Sequence, residues 1–332
     1  MALRTMTYAD AAASALRAAM ANDPRVVVLG EDVGRGGIFQ QYKGLQAEFG
    51  TQRVIDTPIS ESTIAGAGVG MALAGLRPVV ELRVIDFALC AMDEIVNQAA
   101  KNRYMFGGQG RVPLVLRMPI GFWASSAAQH SQSLEAWFAH LPGVVVMCPA
   151  TPQDNHDMLT QALASEDPVI YMEHKELWGL SGPVDEAAVL APDQARVLRR
   201  GRDLTIVLWS SAVHLAVQGA VRLEEQGVSA SVIDLRSLWP WDSETVLGDC
   251  ARTGRLLVVH EAVQVAGFGA EVAATAAQAT GCRIARLGAP RIHVGFAPEL
   301  EAVVRIRAQD IVQAAIAILE PRVPDRADTH RR

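Results

Sequence analysis

Four kinds of signal are missing from this 332-residue chain, and each absence removes a class of function. There is no basic cluster, and the formal net charge is −6, which argues against nucleic acid as the main partner. No apolar run approaches the roughly 20 residues that a membrane helix requires. Cys90, Cys148, Cys250 and Cys282 are scattered without CxxC spacing, as expected of reduced thiols. His174, His260 and His293 show no HExxH or paired-ligand spacing, so no protein-built metal site is expected. The first residues also lack a secretory apolar segment, and a cytoplasmic location is the expectation.

A further absence needs closer reading. Gly66, Gly68 and Gly70 invite a dinucleotide-binding interpretation, but the position three after Gly70 is Leu73, where that fingerprint expects Gly or Ala. The glycines also fall inside a helical stretch rather than in a strand-to-helix turn. Tight helix packing is the better account.

What is present is a large apolar fraction, half of all residues, arranged as alternating strands and helices. Thr7 reads as the cap of a helix to about Met20, followed by a buried strand at Val26–Leu29. Further strands are expected at 79–84, 112–116, 144–147 and 169–171, separated by helices near 62–75, 91–104 and 153–164. After a Gly/Pro-containing, Arg-rich stretch a second series begins. It has strands at 204–208, 230–233, 256–259 and 283–285, and helices near 212–226, 243–251, 268–279 and 309–319. Apolar strands alternating with helices imply mostly parallel sheets covered on both faces, the α/β class. The expected division is a first domain over 1–178, a linker over 179–202, a second domain over 203–320 and a disordered tail over 321–332.

Two residues stand out against this background. In Arg53-Val-Ile-Asp-Thr-Pro-Ile-Ser-Glu61 a short strand and a Pro58 turn lead to Ser60, a helix N-cap candidate, and place Glu61 in the first helical turn. About seventy residues later, Ala128-Gln-His-Ser-Gln132 sets His130 in a polar loop. Taken singly, Glu61 reads as an acid satisfying orphan amides and His130 as a solvated loop histidine.

Together with their neighbours the two resemble something more specific. Gly30-Glu-Asp-Val-Gly34, Asp56-Thr-Pro-Ile-Ser-Glu61, Gly75-Leu-Arg-Pro78, Ala99-Ala-Lys-Asn-Arg-Tyr-Met105 and Ala128-Gln-His-Ser-Gln132 occur in this order. They are followed by Glu173-His-Lys175, Val232-Ile-Asp-Leu-Arg236 and Trp239-Pro-Trp-Asp242. This series resembles the beta subunit of the thiamine-diphosphate-dependent decarboxylating component of 2-oxo acid dehydrogenase complexes, the family of the pyruvate, branched-chain and acetoin enzymes. The resemblance implies two doubly wound domains, a pyrimidine-binding domain followed by a transketolase C-terminal-like domain.

The resemblance also implies roles. Glu61 is the carboxyl that hydrogen-bonds the cofactor's aminopyrimidine, and burial suits a glutamate to sharing that proton. Ile59 lines the same pocket, and Phe87 offers an aromatic platform, although from the residues alone Phe87 reads as ordinary core. His130 is the active-site histidine, handling the substrate carboxylate or protons. Glu31, after Val26–Gly30, is a second acid near the cofactor, or alternatively a solvated or capping acid. The family's Gly-Asp-Gly motif for diphosphate and Mg²⁺ is missing; Gly248-Asp-Cys250 has no following glycine. A separate alpha subunit is therefore expected to hold Mg²⁺ and the diphosphate in an alpha–beta heterotetramer, with a lipoyl acyltransferase core as a further partner and a small 2-oxo acid or acetoin as substrate. Arg291-Ile-His-Val-Gly-Phe296, Arg305-Ile-Arg307 and the bulky Trp123 depart from the family pattern. One chain of a split transketolase-like enzyme and a noncatalytic assembly subunit of the same fold are the alternatives.

Overall fold

The computed structural model describes residues 3–187 and 190–320; the expected tail over 321–332 lies outside the described residues. The first sheet has seven strands in the order Ser237–Trp239, Val145–Met147, Val169–Tyr171, Val115–Arg117, Arg77–Glu81, Val26–Gly30 and Val54–Asp56. All pair in parallel except Ser237–Trp239, which runs antiparallel to Val145–Met147. The second sheet has five strands, in the order Arg283–Ala289, Arg255–Val263, Leu204–Leu208, Ala230–Asp234 and Arg196–Arg199, the last antiparallel. Parallel strands need helical crossovers that cover both faces, so the inner strands read as nearly unbroken apolar runs. Val26–Gly30 and Leu204–Leu208 are buried at all five positions.

The stretch expected as linker is more ordered than its Gly/Pro content suggests. Ser181–Val184 pairs antiparallel with Arg4–Thr7, and Arg196–Arg199 forms the edge of the second sheet. The crossing back is also substantial. Ser237–Trp239 leaves the second unit and completes the first sheet, and one hydrophobic core runs through both, with Leu116, Ile120 and Phe138 packed with Trp209, Ile233 and Leu238.

Thr7 caps the first helix, Tyr8–Asn22, by accepting from the Asp10 amide. The helix expected near 91–104 is instead three short turns of different pitch. They are a 3₁₀ segment at Ile85–Ala91, a π segment at Glu94–Ala99 and an α turn at Asn102–Met105. Apolar spacing over so short a span fits all three pitches, so the sequence could not separate them. Helix Glu61–Leu73 lies close to the strand Arg77–Glu81 at Gly68, where a Cβ would come 2.5 Å from Val80 Cγ2. Close packing thus accounts for Gly68; Gly70 has nothing within 4 Å. No described helix is long and apolar enough to cross a membrane.

Candidate active site

The residues following five adjacent parallel strands meet at one edge of the first sheet. Glu31 follows Val26–Gly30, Ile59 and Glu61 follow Val54–Asp56, and Arg83, Val84 and Phe87 follow Arg77–Glu81. Trp123 and His130 follow Val115–Arg117, and Lys175 follows Val169–Tyr171. Together with Ile38 and Phe39, these side chains line a single cleft of about 560 Å³. From Val26–Gly30 the chain passes to one neighbour, Val54–Asp56, and then crosses to the other, Arg77–Glu81. Such a reversal parts the connecting loops and opens a crevice beyond the carboxyl ends of the strands.

Within the cleft Glu61 opens its helix half-buried, Phe87 is half-buried, and Ile59 is 75% exposed. Phe87 meets His130 edge-on, with ring centroids 5.3 Å apart at 86°. Lys175 Nζ donates to the His130 carbonyl and tethers the histidine loop from the neighbouring strand. Burial pushes the Lys175 amine down to about 8, although Asp86, Glu261 and Glu176 oppose the shift. On the other side of the loop Gln132 Nε2 donates to Asp86 Oδ1 at 2.7 Å. Asp86 is itself held above the ordinary range by burial.

Glu31 is raised in the same direction, first by burial and then by the neighbouring charge of Glu61, with Arg83 pulling against both. Arg83 Nη1 lies 3.9 Å from the Glu31 and Asp32 carboxylates. Glu31, whose ionisation burial and the Glu61 charge disfavour, thus lies in the same cleft as Glu61 with a partly neutralising arginine, an arrangement suited to proton chemistry.

Beneath the cleft, Glu81 is fully buried, accepting from Tyr42 Oη at 2.5 Å and Gln41 Nε2 at 3.1 Å. Burial lifts its carboxyl to about 7 against the pull of Arg117. Between roughly pH 4.5 and 7 the folded chain therefore keeps a proton that the unfolded chain has released, so stability falls as pH rises through that window. Glu81→Gln is expected to flatten the fall, which a pair of urea titrations at pH 5 and pH 7.5 measures. The two proteins should diverge by up to about 3 kcal/mol across that interval, and parallel profiles would exclude the assignment.

Glu61, His130, Phe87, Ile59 and Glu31, expected from the sequence as site residues, all line this one cleft. Ser60 occupies the cap position, but its side chain does not cap the helix. Its hydroxyl donates instead to Thr63 Oγ1 at 2.8 Å. Sequence reasoning gave no role to Arg83 or Lys175. Both were legible as cations placed just after an apolar strand, in Leu82-Arg83 and Glu173-His-Lys175, where a purely structural core has little use for charge.

The donor set is that of a site for a flat heterocycle: a carboxyl to meet a ring nitrogen, an aromatic ring and an apolar wall. An aminopyrimidine fits it. Among the described residues no group of three or more His, Cys, Asp or Glu side chains is arranged to hold a metal ion.

Residues 4–179 match the transketolase pyrimidine-binding domain family, and residues 193–311 match the transketolase C-terminal domain family. The chain is 42% identical over 312 residues to the beta subunit of acetoin:2,6-dichlorophenolindophenol oxidoreductase of Cupriavidus necator, covering 89% of this chain and 92% of that one. It is 40% identical over 323 residues to the 2-oxoisovalerate dehydrogenase beta subunit of Bacillus subtilis, covering 95% and 98%. It is also 39% identical over 322 residues to a mitochondrial pyruvate dehydrogenase E1 beta subunit of Arabidopsis thaliana, covering 94% and 89%. Among solved structures, a split-gene transketolase described as an inactive beta4 tetramer superposes with a TM-score of 0.80 at 22% identity, covering 95% of this chain and 98% of that one. At that identity the likeness concerns the fold.

Proposed function

The chain belongs to the family of beta subunits of 2-oxo acid dehydrogenase E1 components, and from that premise we propose that its cleft holds the aminopyrimidine half of thiamine diphosphate while an alpha subunit holds the diphosphate and Mg²⁺. The observation that carries this reading is the convergence of Glu61, Phe87, Ile59 and His130, from three separate strand ends, on one cleft, with no group of three or more His, Cys, Asp or Glu side chains set to hold a metal among the described residues. The reaction is thiamine-dependent decarboxylation of a 2-oxo acid, or cleavage of acetoin, with transfer of the acyl unit to a lipoyl group.

When bound, the cofactor supplies an acidic thiazolium carbon and an amino group able to take its proton. Glu61 holds a proton at its carboxyl and shares it with a ring nitrogen, and Phe87 and Ile59 keep water from that hydrogen bond. Glu31 and Arg83 set the charge around Glu61. His130, fixed by Lys175 at its carbonyl and by Phe87 at its ring, presents an imidazole to the substrate's carboxylate end and moves protons there.

Exposed apolar side chains lie on the segments that build the cleft or extend from them. Ile59 is 75%, Tyr104 91%, Met105 70% and Phe106 61% exposed, and such surface is covered in a working assembly. It supports an alpha subunit closing the cleft. The C-terminal domain, with Phe296 and Val303 exposed, is the side proposed for the lipoyl acyltransferase core.

The test is reconstitution. The chain purified alone is expected to show no thiamine- and Mg²⁺-dependent turnover of pyruvate, 3-methyl-2-oxobutanoate or acetoin. Mixed with an alpha subunit carrying Gly-Asp-Gly, it should turn over one of them with dichlorophenolindophenol as electron acceptor. Activity of the single chain, or none from the pair, would refute the shared site.

A further inference from the structure

Trp123 lines the same cleft as Glu61 and His130. Large aromatic side chains are normally buried, yet this one is 44% exposed and faces a cavity. Its position is fixed from behind. The indole meets Phe39 edge-on at 5.1 Å, and Phe39 stacks on Trp178 at 5.1 Å and 19°. Trp178 in turn packs edge-on against Tyr8 at 5.8 Å, and the fully buried Tyr8 donates to the Pro149 carbonyl at 3.0 Å. Four rings thus run from the cleft wall into the core, and Trp123 cannot move back without displacing all of them.

The backbone fixes Trp123 as well. Just before it, Gly121 sits at φ +84°, with no room for a Cβ against His174. Just after it, Ala124, Ser125 and Ala127 adopt left-handed φ values of 46°, 57° and 60°. Non-glycine residues hold such angles only where their surroundings over-determine them. The Ser126 hydroxyl donates back to the Trp123 carbonyl. The loop that delivers His130 therefore delivers a rigid indole seven residues earlier, on the same side of the same cleft.

We propose that Trp123 is a specificity-determining wall that limits this enzyme to donors of a two-carbon acyl unit, pyruvate or acetoin, and rejects branched 2-oxo acids. The inference rests on the reading of the cleft as a 2-oxo acid site. A substituent on the reacting carbonyl beside His130 extends towards Trp123 and Phe39. A methyl group fits such a wall. An isopropyl group adds two carbons against rings that cannot retreat, and each extra carbon against an apolar wall alters selectivity about 10- to 200-fold.

In the reconstituted alpha–beta enzyme, kcat/KM is measured for pyruvate, acetoin and 3-methyl-2-oxobutanoate. The native enzyme is expected to favour one of the two acetyl donors over the branched acid by about 100-fold or more, the separate assays showing which donor is used. Trp123→Ala should raise kcat/KM for the branched acid at least about 10-fold and narrow the ratio, with Trp123→Phe between. Calorimetric titration of the same proteins with acetylphosphonate and isobutyrylphosphonate should give the same order in Kd without turnover.

A native preference for the branched acid, or a ratio within about 2-fold of native in Trp123→Ala, would overturn the proposal. So would dissociation of the subunits by both variants, since Trp123 would then be an intersubunit contact. Failure of every donor with the native pair overturns the parent reading, and the specificity wall falls with it.

Discussion

Glu61→Gln, assembled with its alpha subunit, should lose about 10²- to 10⁴-fold in kcat, the range for removing a positioned proton-sharing group. The amide is nearly isosteric and keeps a hydrogen bond to a ring nitrogen, but it cannot hold and release a proton. Binding and chemistry should therefore separate: the cofactor Kd is expected to change less than about tenfold while kcat collapses. The helix should survive, because Glu61 is half-buried at its first turn and the core contacts of Glu61–Leu73 come from Ile64, Ala65, Gly68, Val69 and Ala72. Sedimentation and a cofactor titration run beside the kinetics check both points. Native turnover by an intact Glu61→Gln complex would leave the chain as an assembly subunit of the same fold.

The second large effect is on stability. Arg117 is fully buried at the end of its strand, and its Nε and Nη2 donate to the Glu173 carboxylate at 2.8 Å each. Its guanidinium also lies 4.9 Å from the centre of the Tyr42 ring, whose hydroxyl serves Glu81. Arg117→Met keeps most of the length and removes the charge. Glu173 would then remain buried with only the Asn155 amide bonded to it, and such an uncompensated carboxylate costs about 3–5 kcal/mol. Urea denaturation should show that loss, and Arg117→Met with Glu173→Leu should recover most of it, because an apolar pair can replace a buried ion pair. Equal stability of native and single variant would refute this account. Activity should fall with stability, since Glu173 leads directly into His174, paired with Glu261 at 3.0 Å, and Lys175, which tethers His130.

The parts of this architecture that were legible in the sequence are those with local causes. Buried parallel strands announce themselves as apolar runs such as Val26-Val-Val-Leu29, and a Thr or Pro at a helix start is readable from its neighbours. The site was legible chiefly through the resemblance: Glu61 and His130, which singly read as a helix-start acid and a loop histidine, gained their roles from the series of family stretches around them, and Glu31 from its place after an apolar strand. What stayed hidden depends on partners remote in sequence. Ser237–Trp239 pairs with Val145–Met147 about ninety residues earlier, and three residues carry no period of their own. The π turn at Glu94–Ala99 is invisible to a count of apolar spacings. The cations of the cleft show in the sequence only as charges after apolar strands; what Arg83 and Lys175 do comes from what faces them, the Glu31 carboxylate and the His130 carbonyl.

That late-arriving strand also has a temporal meaning. Because Ser237–Trp239 borders the sheet begun by Val26–Gly30, the sheet carrying the cleft keeps an open flank during synthesis until the ribosome has passed residue 239, well into the second half. An unpaired flank is a template for other nascent chains. The order of translation thus leaves the catalytic half waiting on its successor, and a chain interrupted before residue 237 would carry every residue of the cleft on a scaffold with one side undone.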